Sequence, residues 1–146
     1  MGAILAAAAF LGALAADLLT KAYWVERGHA LGVRVVYNTH AAELPRRLVM
    51  CVLAVAVTAG LARLARWRRL GGIPGAWIGV GVLAGGVVGN GISPLVWSRG
   101  VPDFVYLGDW VWNMADFEIS LGLVGGLGSI LARAALAYGR ERFRTA

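Results

Sequence analysis

The chain has 146 residues, of which 59% are hydrophobic and only 15% charged, against about 25% charged in ordinary soluble domains. That apolar excess, with a mean hydropathy of +0.69, is too much for one soluble core and points to lipid as the solvent. A net charge of +6 would raise nucleic acid as the partner of a soluble protein, but the Arg residues gather in short segments between apolar runs, as in cytoplasmic membrane loops, which excludes that reading.

Four apolar runs predict an all-α membrane protein with four transmembrane helices, at about 3–23, 46–62, 72–93 and 116–133, forming a single domain over 1–146. The first run extends from Met1 past Asp17 to Tyr23. A cleavable signal peptide is the alternative, since Ala13-Leu-Ala15 resembles a small-residue cleavage site, but no Lys or Arg precedes the run. The segment Trp24–Arg47 follows. Within it Val33-Arg-Val-Val-Tyr37 alternates with strand-forming residues and predicts a small extracytoplasmic β-like element on the membrane surface.

The second run, Leu48–Ala62, has 15 residues without a charge. It is slightly short, and the stems of Arg46 and Arg47 extend it by snorkelling. Its single cysteine, Cys51, has no disulfide partner and no second ligand at metal spacing. Four Arg residues then fall within seven positions, Arg63, Arg66, Arg68 and Arg69. The third run is uncharged from Leu70 to Ser98 and rich in glycine, which lets helices approach closely in lipid. The fourth begins near Asp116, carries Glu118 near its start, and is followed by Arg133, Arg140, Arg142 and Arg144. Basic residues number eight on the inner side and six on the outer, but the inner ones are denser, so both termini are expected in the cytoplasm.

Seven of the eight acidic residues then lie on the outer side. Asp17, Asp103 and Asp116 sit near helix ends, where they approach the membrane. Ionisable residues at that depth are costly and are functional candidates. Each also has a plainer reading as a solvated helix-end residue, and Asp116 as a helix N-cap. Two carboxylates sharing a site do not both ionise easily; one holds a proton while the other acts as base, a pair able to activate water against a peptide carbonyl. Competing chemistry is weak. The serines are sparse and no nucleophile-elbow sequence is present. His29 and His40, eleven residues apart, make a poor zinc signature.

Five short motifs, in order, resemble those of signal peptidase II, the lipoprotein signal peptidase. They are Asp17-Leu-Leu-Thr20-Lys21, Tyr37-Asn38-Thr-His40-Ala41-Ala42, Gly85-Gly86-Val-Val-Gly89-Asn90, Gly100-Val-Pro-Asp103-Phe104 and Trp112-Asn113-Met-Ala115-Asp116. The resemblance implies an intramembrane aspartyl endopeptidase that removes the signal peptide from diacylglyceryl-modified bacterial prolipoproteins. Its catalytic pair would be Asp103 and Asp116. Asn90 and Asn113 would line the site, Asn38 would face the substrate from the outer loop, and Asp17 and Lys21 would match a structural or substrate-orienting motif. No cofactor and no metal is implied. The expected partners are membrane lipids and the lipid-modified prolipoprotein, with no nucleic acid, and the chain is expected to act as a monomer. The expected location is the bacterial cytoplasmic (inner) membrane, with the active site near its extracytoplasmic face.

The sequence also departs from the family pattern. Where the family continues its third-helix motif with Asp-Arg, this chain has Ser93-Pro94, which removes an ion pair and leaves Arg99 as the substitute; Pro94 is expected to end the helix. His40 and Glu43 replace a glycine and an aromatic residue. A small transporter subunit built around Asp17, or a catalytically silent lipoprotein-binding homologue, are the alternatives.

Overall fold

A computed structural model describes residues 1–40, 43–66 and 73–144. Ala41, Ala42, Arg68 and Arg69, which belong to the outer motif and the inner connection read above, lie outside the described residues.

The fold is mostly helical. α1 spans Gly2–Arg27, α2 Leu44–Arg66, α3 Pro74–Val96 and α4 Met114–Arg144. Among the described residues three helices are long and apolar enough to cross a membrane: α1, α3, and Met114–Tyr138 of α4. Their outward faces carry Ile4, Leu11, Leu121, Val124 and Leu131, all exposed, as lipid-facing residues are when helices have no water to avoid. α4 continues well past the predicted end near 133. Alanines and arginines are good helix formers, so the helix outlasts the apolar run that first marks it.

α3 is the central element, packed between α1 and α4. Its N-terminus is marked by Pro74 in the first turn, where the missing N–H is no loss. Close approach explains its glycine content. A Cβ on Gly79 would stand 2.6 Å from the Gly126 Cα, and one on Gly85 would stand 2.6 Å from the Ala13 Cβ. Towards one end of the bundle Leu61, Ala65, Ala76, Val80, Leu83 and Ile130 form the apolar core.

Pro94 does not end α3. It lies inside the helix, in its last turn, and the Trp97 N–H closes that turn onto the Ser93 carbonyl at 2.7 Å. Only one backbone bond is forgone there, at a point where the helix has few left to make.

The outer segments hold four strands of three residues each: β1 (Val36–Asn38), β2 (Val101–Asp103), β3 (Val105–Leu107) and β4 (Trp110–Trp112). β1 and β2 pair antiparallel with Val36 opposite Asp103, and β3 and β4 form a hairpin closed by Gly108 at φ +62°. The expected β-like element is thus present but shifted from 33–37, because pairing with β2 and not alternation sets its bounds.

Candidate active site

The β1–β2 ladder sets the position of Asp103. Gly100 precedes β2 at φ +122°, and a Cβ there would stand 2.8 Å from the Asn38 carbonyl oxygen. Both the dihedral and the space require glycine. After Asp103, Phe104 stacks on Trp24 of α1 at 5.9 Å, and its N–H donates to the Trp112 carbonyl at 3.0 Å. Asp103 is therefore clamped between a helix and both small sheets, and it is 5% exposed.

Asn113 follows β4 and is buried. Its Nδ2 donates to Asp103 Oδ1 at 2.5 Å, and its backbone N–H donates to Asp116 Oδ2 at 2.9 Å. One residue thus joins the two carboxylates. Asp116 is the third residue of α4 and reaches back to the residue before the helix. That is the carboxylate half of a capping box, not an N-cap, and its charge sits well at a helix N-terminus. Asn90 of α3 donates its Nδ2 to Asp116 Oδ1 at 2.9 Å. Asp116 is half-buried.

A second polar layer lies behind the first. Lys21, the one lysine of the chain, is fully buried together with Asp17 and Ser93. Its ammonium donates to Asp17 Oδ2 at 2.7 Å, Asn90 Oδ1 at 2.8 Å and Ser93 Oγ at 2.9 Å. The other Asp17 oxygen accepts the Ala115 N–H at 2.9 Å, one residue before Asp116. A Cβ on Gly89 would run into the Asp17 carboxylate. That glycine makes room for the pair.

The structure thus brings all seven predicted residues into one cluster. Asp103, Asp116, Asn90 and Asn113 are directly bonded to one another, the Asn38 side chain hydrogen-bonds Asp103, and Asp17 and Lys21 sit behind Asn90. The last two bond to protein groups, not to an open cleft. Arg99 does not restore an ion pair at the Ser93-Pro94 departure; its guanidinium lies over the Tyr37 ring at 4.4 Å. His40 contacts Glu43 at 3.1 Å on an exposed surface.

Electrostatics single out Asp103. Burial pushes the Asp103 carboxyl up to about 6, and the nearby Asp116 charge pushes the same way. Hydrogen bonds from Asn113 and Asn38 and the Lys21 charge oppose the rise. A carboxyl with that value readily holds a proton beside a second carboxylate, an arrangement suited to general acid–base chemistry on a bound water.

Two buried polar residues were not foreseen as part of this cluster. Ser93 completes the surroundings of Lys21. Glu118, two residues after Asp116, is buried against α3: its Cβ would stand 2.9 Å from a Cβ on Gly86. Glu118 Oε2 and Asn113 Oδ1 have no hydrogen-bond partner among the described residues. The sequence marks Ser93 only as a departure from the family's Asp, and Glu118 only as an ionisable group near the start of an apolar run.

No curated protein matches the sequence. The family model for signal peptidase (SPase) II, a family of aspartic peptidases, matches residues 9–132, which contain every residue of the cluster. With its long apolar helices, the chain is a multi-pass membrane protein that belongs to the signal peptidase II family.

Proposed function

We propose that this protein is an aspartic endopeptidase that cleaves the signal peptide from diacylglyceryl-modified bacterial prolipoproteins, with Asp103 and Asp116 as its catalytic pair. The observation that carries this reading is the bridge through Asn113, which bonds Asp103 with its side chain and Asp116 with its backbone. Two carboxylates brought near each other through one residue support this reading, since like charges at close range favour one of them holding a proton.

In this mechanism Asp116, more open and held by two N–H donors, takes a proton from water as the water oxygen attacks the scissile carbonyl carbon. Asp103 gives its proton to the carbonyl oxygen. Collapse of the resulting diol breaks the C–N bond as Asp116 gives its proton to the leaving nitrogen and Asp103 takes one from a diol hydroxyl, which returns the pair to its starting protonation. No covalent enzyme intermediate forms. Asn38 faces the substrate from β1, and Asn90 and Asn113 fix the carboxylates.

α2 is read as the fourth span. Its 23 residues extend about 35 Å, enough for the hydrocarbon core. The protein then sits in the bacterial inner membrane with both termini in the cytoplasm, its dyad at the extracytoplasmic face, acting as a monomer on a lipid-modified substrate. The ion-pathway alternative is weakened by Asp17, whose two oxygens are both bonded within the protein.

The test is cleavage of a diacylglyceryl-modified prolipoprotein by purified protein in detergent or vesicles. Wild type should release the signal peptide, and Asp103→Asn and Asp116→Asn should each lower the rate by several orders of magnitude. The double variant should be little worse than either single one, because residues acting as a unit are non-additive. Wild-type rates in both single variants would remove Asp103 and Asp116 as the catalytic pair, and no cleavage by wild type would leave the silent-homologue or transporter reading in place.

A further inference from the structure

Ser93 lies outside the matched motifs and is fully buried one turn after Gly89. Its Oγ donates to the Gly89 carbonyl at 2.7 Å. With its proton so used, the hydroxyl presents lone pairs to Lys21 Nζ at 2.9 Å. An ammonium has three N–H groups and no acceptor. Here all three are used, on Asp17, Asn90 and Ser93.

This arrangement decides the orientation of Asn90. A lysine only donates, so the Asn90 amide must turn its oxygen to Lys21. Its NH2 group then faces Asp116 Oδ1, which only an N–H donor satisfies. Reversing the amide would set NH2 against NH3⁺ and oxygen against carboxylate. The orientation of one proposed catalytic carboxylate's partner is therefore fixed from two residues away.

We propose that Ser93 is a positioning residue of the reaction: it holds the third N–H of Lys21, so that Lys21 fixes Asn90 as the donor to Asp116. The proposal rests on the protease reading. Of the three Lys21 bonds, the one to Asp17 is charge-assisted on both sides and the strongest. Without the Ser93 oxygen, one buried ammonium N–H has no acceptor, which is strongly unfavourable. The ammonium then shifts among its remaining acceptors, and the neutral Asn90 oxygen is the one it holds more weakly. The fault is transmitted to Asp116, while the Asp17–Ala115 tie to α4 is untouched.

Two measurements on the full chain in detergent micelles test this. The chain has three asparagines, Asn38, Asn90 and Asn113, so protein labelled with 15N only at asparagine shows three side-chain amide pairs. In Ser93→Ala the Asn90 pair should shift while the Asn38 and Asn113 pairs stay in place. Cleavage of the modified prolipoprotein should lose about 10- to 100-fold in kcat, the scale of a small misplacement at a reacting group, with KM within about twofold. The pH–rate profile should also move, a change that general loosening of the fold would not bring. Lys21→Met should remove the effect, so that adding Ser93→Ala to it changes nothing further. Ser93→Cys, close to isosteric with a weaker acceptor, should fall between wild type and Ser93→Ala, and it serves if the alanine variant fails to fold. An unshifted Asn90 pair with wild-type kcat in a folded variant overturns the role of Ser93 and leaves the protease reading intact. A wild-type protein that cleaves no modified prolipoprotein overturns the protease reading, and this proposal with it.

Discussion

Asp103→Asn should destroy cleavage and yet stabilise the protein at neutral and alkaline pH. Asp103 is 5% exposed, and its carboxyl rises from 3.8 to about 6, chiefly because burial disfavours the charged form. At about 1.4 kcal/mol per unit, that is roughly 3 kcal/mol of preference for the protonated state in the folded protein. The sign follows from linkage. A carboxyl with a raised folded-state value binds its proton more tightly folded than unfolded, so the stability it gives is present below about 4 and is lost as pH rises through about 6. Asparagine is uncharged at every pH and keeps one oxygen for the Asn113 and Asn38 donors. The variant should therefore match wild type near pH 4 and exceed it at pH 8 by about 1–3 kcal/mol, part of the gain being lost to imperfect hydrogen bonding. Reversible denaturation of the detergent-solubilised protein at the two pH values measures the difference, and prolipoprotein cleavage on the same samples confirms inactivity. A variant less stable than wild type at pH 8 would refute the claim that Asp103 carries an electrostatic penalty for the sake of its proton.

Other perturbations separate the layers of the site. Wild-type cleavage should fall about fivefold between pH 6 and pH 7 in kcat/KM, the direction set by loss of the Asp103 proton; a flat profile from pH 5 to pH 8 would remove Asp103 as the acid. Asp109→Asn, exposed at the tip of the β3–β4 hairpin, should cleave within about twofold of wild type, the level expected for a surface change away from the site, and a large loss would redraw the dyad. Gly89→Ala drives a methyl into the Asp17 carboxylate and should destabilise by about 1–3 kcal/mol while lowering cleavage; equal thermal stability would show that α1 and α3 are free to separate there. Glu118→Met replaces a buried carboxyl, one oxygen of which has no partner among the described residues, with an apolar chain of similar length. It should leave cleavage within about twofold and raise stability by about 1–3 kcal/mol, whereas lost cleavage would place Glu118 in the chemistry.

The helices were legible because their signal is long: apolar runs such as the uncharged stretch Leu70–Ser98 show themselves without any knowledge of packing. The residues of the candidate site were noticed for a different reason. Asp17, Asn38, Asn90, Asp103, Asn113 and Asp116 sit in short motifs whose order resembled a known family, while their spacing in the chain does not reveal that Asn113 bonds both aspartates. What stayed hidden was local and three-dimensional. Strands of three residues, such as Val101–Asp103, contain no period to read, and the hairpin of Tyr106 and Trp110 is fixed by cross-strand pairing. Pro94 was expected to end α3 because helix propensity counts the lost bond, whereas in the last turn there is little left to lose. Ser93 was noticed only as a departure from the family pattern and Glu118 only as a charge near a helix start, because burial and partners decide their meaning, and neither is written in the identity of the residue.

The division of the molecule into an apolar and a polar region explains why a charged lysine is kept inside it. Leu61, Ala65, Val80, Leu83 and Ile130 hold α2, α3 and α4 together by packing, which needs only small and branched residues. α1 meets α3 through Gly81 and Gly85, where no side chain can fix a register beyond close contact. The Asp17–Lys21 pair supplies that register: Asp17 grips the Ala115 N–H at the start of α4, and Lys21 grips Asn90 and Ser93 on α3. A buried ion pair of this kind adds little net stability over an apolar substitute, because desolvation offsets most of the attraction. Its directional bonds supply what apolar packing lacks. Three helices are set against one another at the level of Asp116 and Asp103, and a sliding contact of glycine on alanine would not hold that level to the fraction of an ångström that the proposed proton transfer needs.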